Sequence, residues 1–265
     1  MKNLCLFDVD STLLPKGETV IPKKEVEAIN ALLRQGDAIA IDSGRPFSAV
    51  RHFLSSFEDG EKYAIVVNGG GLYDYSGNPI ALHSMSGDVL TYFQKKFASD
   101  PRIGVYAYDL DSGLISYGAS RWCEWEMDLN KMKRNRHVEA NEKVGEKIMK
   151  IMVCADKDVS AGITFSDEEK KKYHIVRSDI EYLEILPREV NKAIEIETLR
   201  KRLGIERANV YTFGDAGNDL EMIRDYHGVA MGEATPEIKK VAEYLTLESK
   251  DDGVAYALTT LLHLI

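Results

Sequence analysis

Residues 4–12 read LCLFDVDST. Four apolar or cysteine positions run without a break into Asp8 and Asp10, set one valine apart. A short continuous apolar run suits a strand buried on both faces, and such strands belong to parallel sheets covered by helices. Asp8 and Asp10 then stand at its carboxyl end, the edge where open parallel sheets bind ligands. Two like charges this close repel each other. A divalent cation resolves the repulsion, and magnesium takes hard oxygen ligands from one or two carboxylates, waters and a phosphate. Asp-x-Asp after a strand also occurs as a plain turn or helix cap. Ser11 and Thr12 likewise read either as turn residues or as hydroxyl and amide donors to a bound anion.

Outward from this strand the pattern repeats. Val26, Ile29, Leu32 and Leu33 share one helical face, and Gly36 ends that helix. AIAID (38–42) is a second buried strand. Pro46 suits the first turn of a helix running to about Phe57. YAIVV (63–67) is a third strand. This βαβαβ order predicts an α/β fold: a Rossmann-like domain with a parallel sheet. From about residue 83 the rhythm changes. Hairpins are expected across 71–82 (turning at Ser76-Gly77-Asn78), 102–118 (turning at Asp111-Ser112-Gly113) and 172–186 (turning near Ser178-Asp179). A strand is expected over 147–155, with helices near 86–98 and 120–130. Past Pro187 the alternation resumes: helix 192–203, strand 209–214, a short helix after Asn218, then strand, helix, the short strand YLT and a last helix from Gly253. The expected domains are therefore 1–82 with 184–265, interrupted by an α+β unit at 83–183.

Composition narrows the class. The chain has 265 residues, 44% hydrophobic and 29% charged, with net charge -9. An acidic surface disfavours nucleic acid, whose binding rests on basic charge facing phosphate. The short basic stretch Lys131, Lys133, Arg134 and Arg136 is the main counter-evidence and reads as a solvated face. No apolar run reaches the roughly 18 residues of a membrane span, and the N-terminus lacks a signal-peptide cleavage site. Cys5, Cys123 and Cys154 are odd in number and widely spaced, without a Cys-x-x-Cys. The expectation is a reduced, cytoplasmic protein with no membrane or nucleic-acid partner.

Three further stretches carry polar groups at predicted strand ends or helix starts. GDAGND (214–219) brings Asp215, Asn218 and Asp219; Asp215 or Asn218 could simply cap the next helix. DSGRP (42–46) brings Ser43, Gly44 and Arg45; Ser43 could cap a helix or hold a phosphoryl oxygen beside its free amides. Lys192 opens the helix after the inserted unit. It is either an ordinary surface lysine or a cation at the sheet edge facing an anion. Carboxylates for a cation, with lysine, serine and amides for a phosphate, make one coherent site.

FDVDST (7–12), DSGRP (42–46), VNKA (190–193) and FGDAGNDLEMI (213–223) occur in this order and spacing. VVNGG (66–70), VAMGEA (229–234) and DDGVAYAL (251–258) add weaker echoes. On these residues the chain resembles the haloacid dehalogenase superfamily, and most of all its Cof-type hydrolases with a large cap inserted between the second and third motifs. The resemblance covers about 1–82 and 184–265; the insert matches in position, size and strand content. It departs where Ser11 replaces a glycine, Ser43 a threonine and Glu233 a common asparagine. What it implies is a Mg²⁺-dependent phosphatase of small phosphorylated metabolites, with sugar phosphates first among the substrate classes. Asp8 would attack phosphorus to give an aspartyl-phosphate. Asp10 would act as general acid and then base, which needs a carboxyl able to hold a proton; a desolvated cleft favours that and a cation opposes it. Asp8, the Asp10 carbonyl and Asp215 would bind the metal, and Asp219 would orient its water from behind. Lys192, Ser43, Gly44, Arg45 and Asn218 would hold phosphoryl oxygens. Leaving-group readers would come from Arg45, Asn68 and Gly69, and in the insert from Tyr108, Asp109, Trp122, Trp125 and Arg177, each of which also suits a purely structural place.

Two alternatives share these motifs. A phosphomutase, as in the phosphomannomutases, needs arginines for a second phosphate, and the insert holds Arg102, Arg121, Arg134, Arg136 and Arg177. A phospho-aspartate switch would use Asp8 alone, leaving Asp10 without a task. Oligomeric state is not written in the sequence.

Overall fold

The computed structural model describes residues 2–110, 113–117, 120–130, 135–137 and 147–265. Lys131, Lys133 and Arg134, the side chain of Arg136, and the turn residues Asp111 and Ser112 lie outside that set. Two compact units emerge, Met1–Ala81 with Asn191–Ile265, and Leu82–Val190.

The first unit begins as expected: β1 (Leu4–Phe7), α1 (Lys23–Arg34), β2 (Ala38–Asp42), α2 (Phe47–Leu54), β3 (Glu61–Val66). The strands are buried on both faces because helices pack on each side. Helix α1 buries Ala28, Ile29, Leu32 and Leu33, and Gly36 at φ 89° lets the chain leave it. Pro46 stands one residue before α2, which ends at Leu54 rather than Phe57. A hairpin follows, β4 (Gly71–Asp74) and β5 (Pro79–Leu82), closed by the Gly77 N–H on the Asp74 carbonyl.

The inserted unit contains α3 (Gly87–Phe97), β6 (Gly104–Asp109), β7 (Gly113–Tyr117), α4 (Ser120–Leu129), β8 (Asn135–His137), β9 (Ile148–Cys154), α5 (Lys157–Ser160), α6 (Asp167–Lys172), β10 (Tyr173–Asp179) and β11 (Tyr182–Pro187). Its sheet runs β10-β11-β9-β6-β7-β8, antiparallel except for the β7–β8 pair. Alternation gives it two faces. One packs Val105, Ala107, Ile115, Ile151, Val153, Leu183 and Ile185 against Leu90 and Phe93 of α3. The strand alternation puts Tyr106, Tyr108, Lys150 and Glu184 on the other.

Three features differ from the expectation. The return to the first unit falls after Val190, not at 183/184, because β11 pairs with β9 and β10 up to Pro187 and cannot be cut at Leu183. The last hairpin turns at Ile180-Glu181, since Asp179 already pairs with Tyr182. Helix α6 was missed although Ser166-x-x-Glu169 is a capping-box pattern, with both reciprocal bonds formed.

The chain then completes the first unit with α7 (Lys192–Leu203), β12 (Val210–Gly214), α8 (Leu220–Asp225), β13 (His227–Ala230), α9 (Pro236–Val241), β14 (Tyr244–Leu245) and α10 (Gly253–Tyr256). The sheet order is β14-β13-β12-β1-β2-β3-β4-β5, with every pair from β14 to β3 parallel. Parallel pairing brings the carboxyl ends of β12, β1 and β2 side by side. Among the described residues no helix is long and apolar enough to cross a membrane. All three cysteines are buried thiols.

Candidate active site

Lys192 decides the geometry. It opens α7 and is wholly buried, so its ammonium is not the surface charge that a helical lysine usually is. It donates to Asp8 Oδ1 at 2.6 Å and to Asp219 Oδ1 at 2.6 Å. Burial opposes its charge, but Asp219, Asp8 and Asp42 outweigh burial and hold its pKa above the ordinary lysine value. The helix start itself is fixed twice. Asn191 accepts from the Ala193 N–H at 2.9 Å, and Gly69, at φ 94°, lies so close that a Cβ there would stand 2.1 Å from the Asn191 carbonyl oxygen.

Asp8 follows β1 directly, and Asp215 follows β12 directly. One oxygen each from Asp8, Asp215 and Asp219 lies within 4.8 Å of the others. These three carboxylates face one ammonium. Burial, and then the neighbouring carboxylates against Lys192, push the Asp8 carboxyl well above its usual range. Burial and Asp219 push Asp215 up to about 7. Such a surplus of negative charge on hard oxygens fits a divalent cation such as Mg²⁺.

Asp219 differs from the other two. It is fully buried, and its second oxygen accepts the Asp215 N–H at 2.9 Å and the Ala216 N–H at 3.0 Å. With Lys192 on its first oxygen, its acceptor positions are largely spent within the protein. Gly214 makes this possible, since a Cβ there would meet Asp219 Cγ at 2.6 Å. Neither Asp215 nor Asn218 caps α8, which starts at Leu220 with no side-chain cap. Asn218 instead donates to Asn68 Oδ1 at 3.1 Å, tying this loop to the one after β3.

Asp10 departs from the expectation. It lies past the end of β1, and its side chain is 62% exposed rather than desolvated. Both its oxygens are taken by Arg45, at 2.6 Å from the Nη2 and 3.0 Å from the Nε. Its carboxylate stands apart from the three-aspartate cluster, and Arg45 faces Asp10 rather than an open anion position. Ser11 adopts φ 58°, the left-handed conformation that favours glycine. The amides of Ser11 and Thr12 are spent on Leu14 and Val9 carbonyls, so they form a turn rather than an anion nest.

Ser43 is buried and does not cap α2. Its hydroxyl oxygen accepts the Arg45 N–H at 3.2 Å, which leaves its O–H to donate elsewhere. Gly44 passes close beneath Asn68, where a Cβ would press its Oδ1 at 3.1 Å. Glu233 holds the loop at Ser249, accepting its N–H at 3.0 Å and its hydroxyl. Sequence reading missed Asp42, which is buried at the end of β2 with both carboxylate oxygens unpartnered among the described residues. Its signal was a carboxylate closing a run of otherwise apolar strand residues.

In the inserted unit, Tyr108 donates to Glu126, and Arg177 is folded back on Ser160 and the Ile180 carbonyl. Trp122 and Asp109 are buried, while Trp125 is exposed and stacks on Tyr182.

A family model for haloacid dehalogenase-like hydrolases matches residues 5–258. The chain belongs to that family. A Streptococcus pyogenes (serotype M6) relative, provisionally named a phosphatase, is 31% identical over 265 residues, covering 96% of each chain. The Bacillus subtilis protein YxeH, provisionally named the same way, is 29% identical over 97% of each. Among solved structures, a haloacid dehalogenase-like hydrolase from Bacteroides thetaiotaomicron superposes with TM-score 0.83 at 24% identity, over 98% of this chain and all of that one. The subclass IIB sugar phosphatase BT4131 gives 0.80 at 20% identity, over 99% and 100%. These two show the shared fold: a hydrolase of this family with a parallel-rich core and a separate, mainly antiparallel unit.

Proposed function

We propose that this haloacid dehalogenase-type phosphomonoester hydrolase is a Mg²⁺-dependent phosphatase of small phosphorylated metabolites, working through an aspartyl-phosphate on Asp8. The observation that carries the reading is the buried Lys192 bridging Asp8 and Asp219 beside Asp215. Asp8 engages the lysine through one oxygen. Its other oxygen is the nucleophile that attacks phosphorus, splitting one displacement into two. Asp8 and Asp215, with the Asp10 carbonyl, would hold the cation. When bound, Mg²⁺ offsets the repulsion between carboxylates and phosphate dianion. Lys192, the Ser43 O–H and Asn218 steady the non-bridging oxygens as charge moves during transfer. Asp219 keeps Lys192 and the Asp215 backbone in place.

Asp10 protonates the leaving alcohol and afterwards takes the proton of the attacking water. Its fork with Arg45 must open for this, so Arg45 acts as a latch on the acid as well as a neighbour of the substrate. A sugar phosphate is the favoured substrate class, on likeness to BT4131, a sugar phosphatase with the same fold. The setting proposed is cytoplasmic.

The test is inorganic phosphate release from a panel of phosphomonoesters, with Mg²⁺ and with EDTA, for wild type and Asp8→Asn. Release that needs Mg²⁺ and vanishes in the variant is expected. Full release by the Asp8→Asn protein would remove Asp8 as nucleophile. Bisphosphate-dependent isomerisation without net release would make the chain a mutase.

A further inference from the structure

Asp42 closes β2 and is wholly inaccessible to solvent. Neither of its carboxylate oxygens has a hydrogen-bond partner among the described residues. A buried carboxylate with no donor costs several kcal/mol, so natural folds rarely keep one idle. Its location is defined by register. Leu4 pairs with Ala38 and Leu6 with Ala40 across β1 and β2, and two residues further on Asp8 and Asp42 stand level on the same face. Neighbouring parallel strands are about 5 Å apart. Lys192 is the strongest charge acting on Asp42, and Asp42 in turn is one of the three carboxylates sustaining the lysine's charge.

The ammonium completes the picture. A lysine carries three N–H donors. Lys192 uses one on Asp8 and one on Asp219, leaving a third unassigned among the described residues. An unassigned donor on Lys192 and an acceptor without a donor on Asp42 therefore both lie beside Asp8, with no hydrogen bond joining them in this structure. In the reaction proposed above, Asp8 changes from a carboxylate into an acyl phosphate and weakens as an acceptor for the lysine. A side chain that could not be reached from solvent or substrate, but could take over that hydrogen bond, would keep the ammonium in place through both half-reactions.

We propose that Asp42 is a positioning residue for Lys192: a small shift of the side chains brings its carboxylate onto the third N–H of the ammonium, and this contact holds the lysine at the phosphoryl site while Asp8 is modified. This rests on the phosphatase reading for its catalytic part and on the buried geometry for its hydrogen-bonding part. Asp42 touches no substrate, so its removal should act on the chemical step and leave binding alone.

The experiment compares wild type with Asp42→Asn, which keeps the shape and removes the charge. Two quantities are read. One is steady-state phosphate release. The other is the ¹⁵Nζ resonance of Lys192 and the exchange rate of its protons, assigned by their absence in Lys192→Met. We expect kcat to fall about tenfold with KM within about twofold, together with a displaced resonance and protons that exchange at least severalfold faster. Either change without the other overturns the proposal. A slower enzyme with an unmoved lysine signal makes Asp42 merely structural, and a moved signal with unchanged kcat makes the contact idle in turnover. Should Asp42→Asn not fold, Asp42→Ser is read by the same two criteria. If wild type releases no phosphate from any ester, the phosphatase reading has failed and the resonance alone decides whether the contact exists.

Discussion

Both units of this chain bury charged groups, and they do it in opposite ways. In the inserted unit the following buried groups are matched by a counter-charge or by neutral hydrogen-bond donors. Lys150 lies 3.1 Å from Glu184 and over the Tyr108 ring, Tyr108 donates to Glu126, and Asn130 donates to Glu126 at 3.0 Å. In the first unit four carboxyl groups, those of Asp8, Asp219, Asp215 and Asp42, surround one lysine. Matched burial gives a self-contained fold. Unmatched burial costs stability and is sustained only where something else supplies the missing charge. A surplus of carboxyl groups is what the proposed cation would offset, in a way that burial by itself does not call for.

The comparison breaks first at Asp8. Asp8→Asn removes a negative charge from the surplus, so turnover should fall by about a thousandfold or more, some 4 kcal/mol of barrier. The melting temperature of the metal-free protein should stay level or rise, as calorimetry beside a phosphate assay would show. A parallel loss of stability would mean the site is balanced after all. In the inserted unit the same kind of change should do the reverse. Lys150→Met leaves Glu184 without its ammonium and should cost about 3 kcal/mol in urea unfolding. Adding Glu184→Leu to that variant should recover most of it, whereas additive losses would disprove matched burial.

Glu25 stands between the two cases. It is buried and forms no ion pair among the described residues, but it accepts the Val254 N–H at 3.1 Å and the Ala255 N–H at 2.6 Å at the start of α10. Burial outweighs these bonds and pushes its carboxyl up to about 7. The folded protein therefore holds this proton more tightly than the unfolded chain does. The resulting stabilisation is complete below about pH 4.5 and is lost as pH rises through about 7. Relative to Glu25→Gln, wild-type stability should fall by about 3 kcal/mol across that window. A difference that does not change with pH would show that Glu25 takes up its proton equally in the folded and unfolded chains. The smallest effect belongs to Ser11. Replacing it with glycine relieves the φ 58° backbone and should add about 0.5 kcal/mol or less, because glycine also loosens the unfolded chain. A loss of more than about 1 kcal/mol would mean that the Ser11 hydroxyl matters more than its backbone.

Much of the scaffold was legible because its signals are local. Apolar runs ending in aspartate, and a helix opening at Lys192, depend on neighbours along the chain. Contacts between distant residues were not. The Asp10–Arg45 fork joins residues 35 apart, and nothing near either predicts that Asp10 would be paired and exposed rather than desolvated. Asp42 looked like the last letter of a strand, and only the strand register reveals Asp8 beside it. Asp219 was placed behind the cation's ligands, and its hydrogen bonds to two backbone amides and Lys192 give a physical reason for keeping it there. The exit of the inserted unit was placed seven residues early, at Leu183 instead of Val190, because the pairing of β11 with β9 and β10 joins residues far apart in the chain.

The crossing of Gly69 and Asn191 has a consequence for how such a protein can change. Asn191 is the first residue after the inserted unit, and it is locked against a glycine that has no room for any side chain. The lysine next to it is thereby registered from within the first unit. Everything between Leu82 and Val190 can be lengthened, shortened or exchanged by evolution or by an engineer, and the lysine keeps its address. The two units can drift apart as separately heritable parts of one chain, with a single glycine guarding the seam.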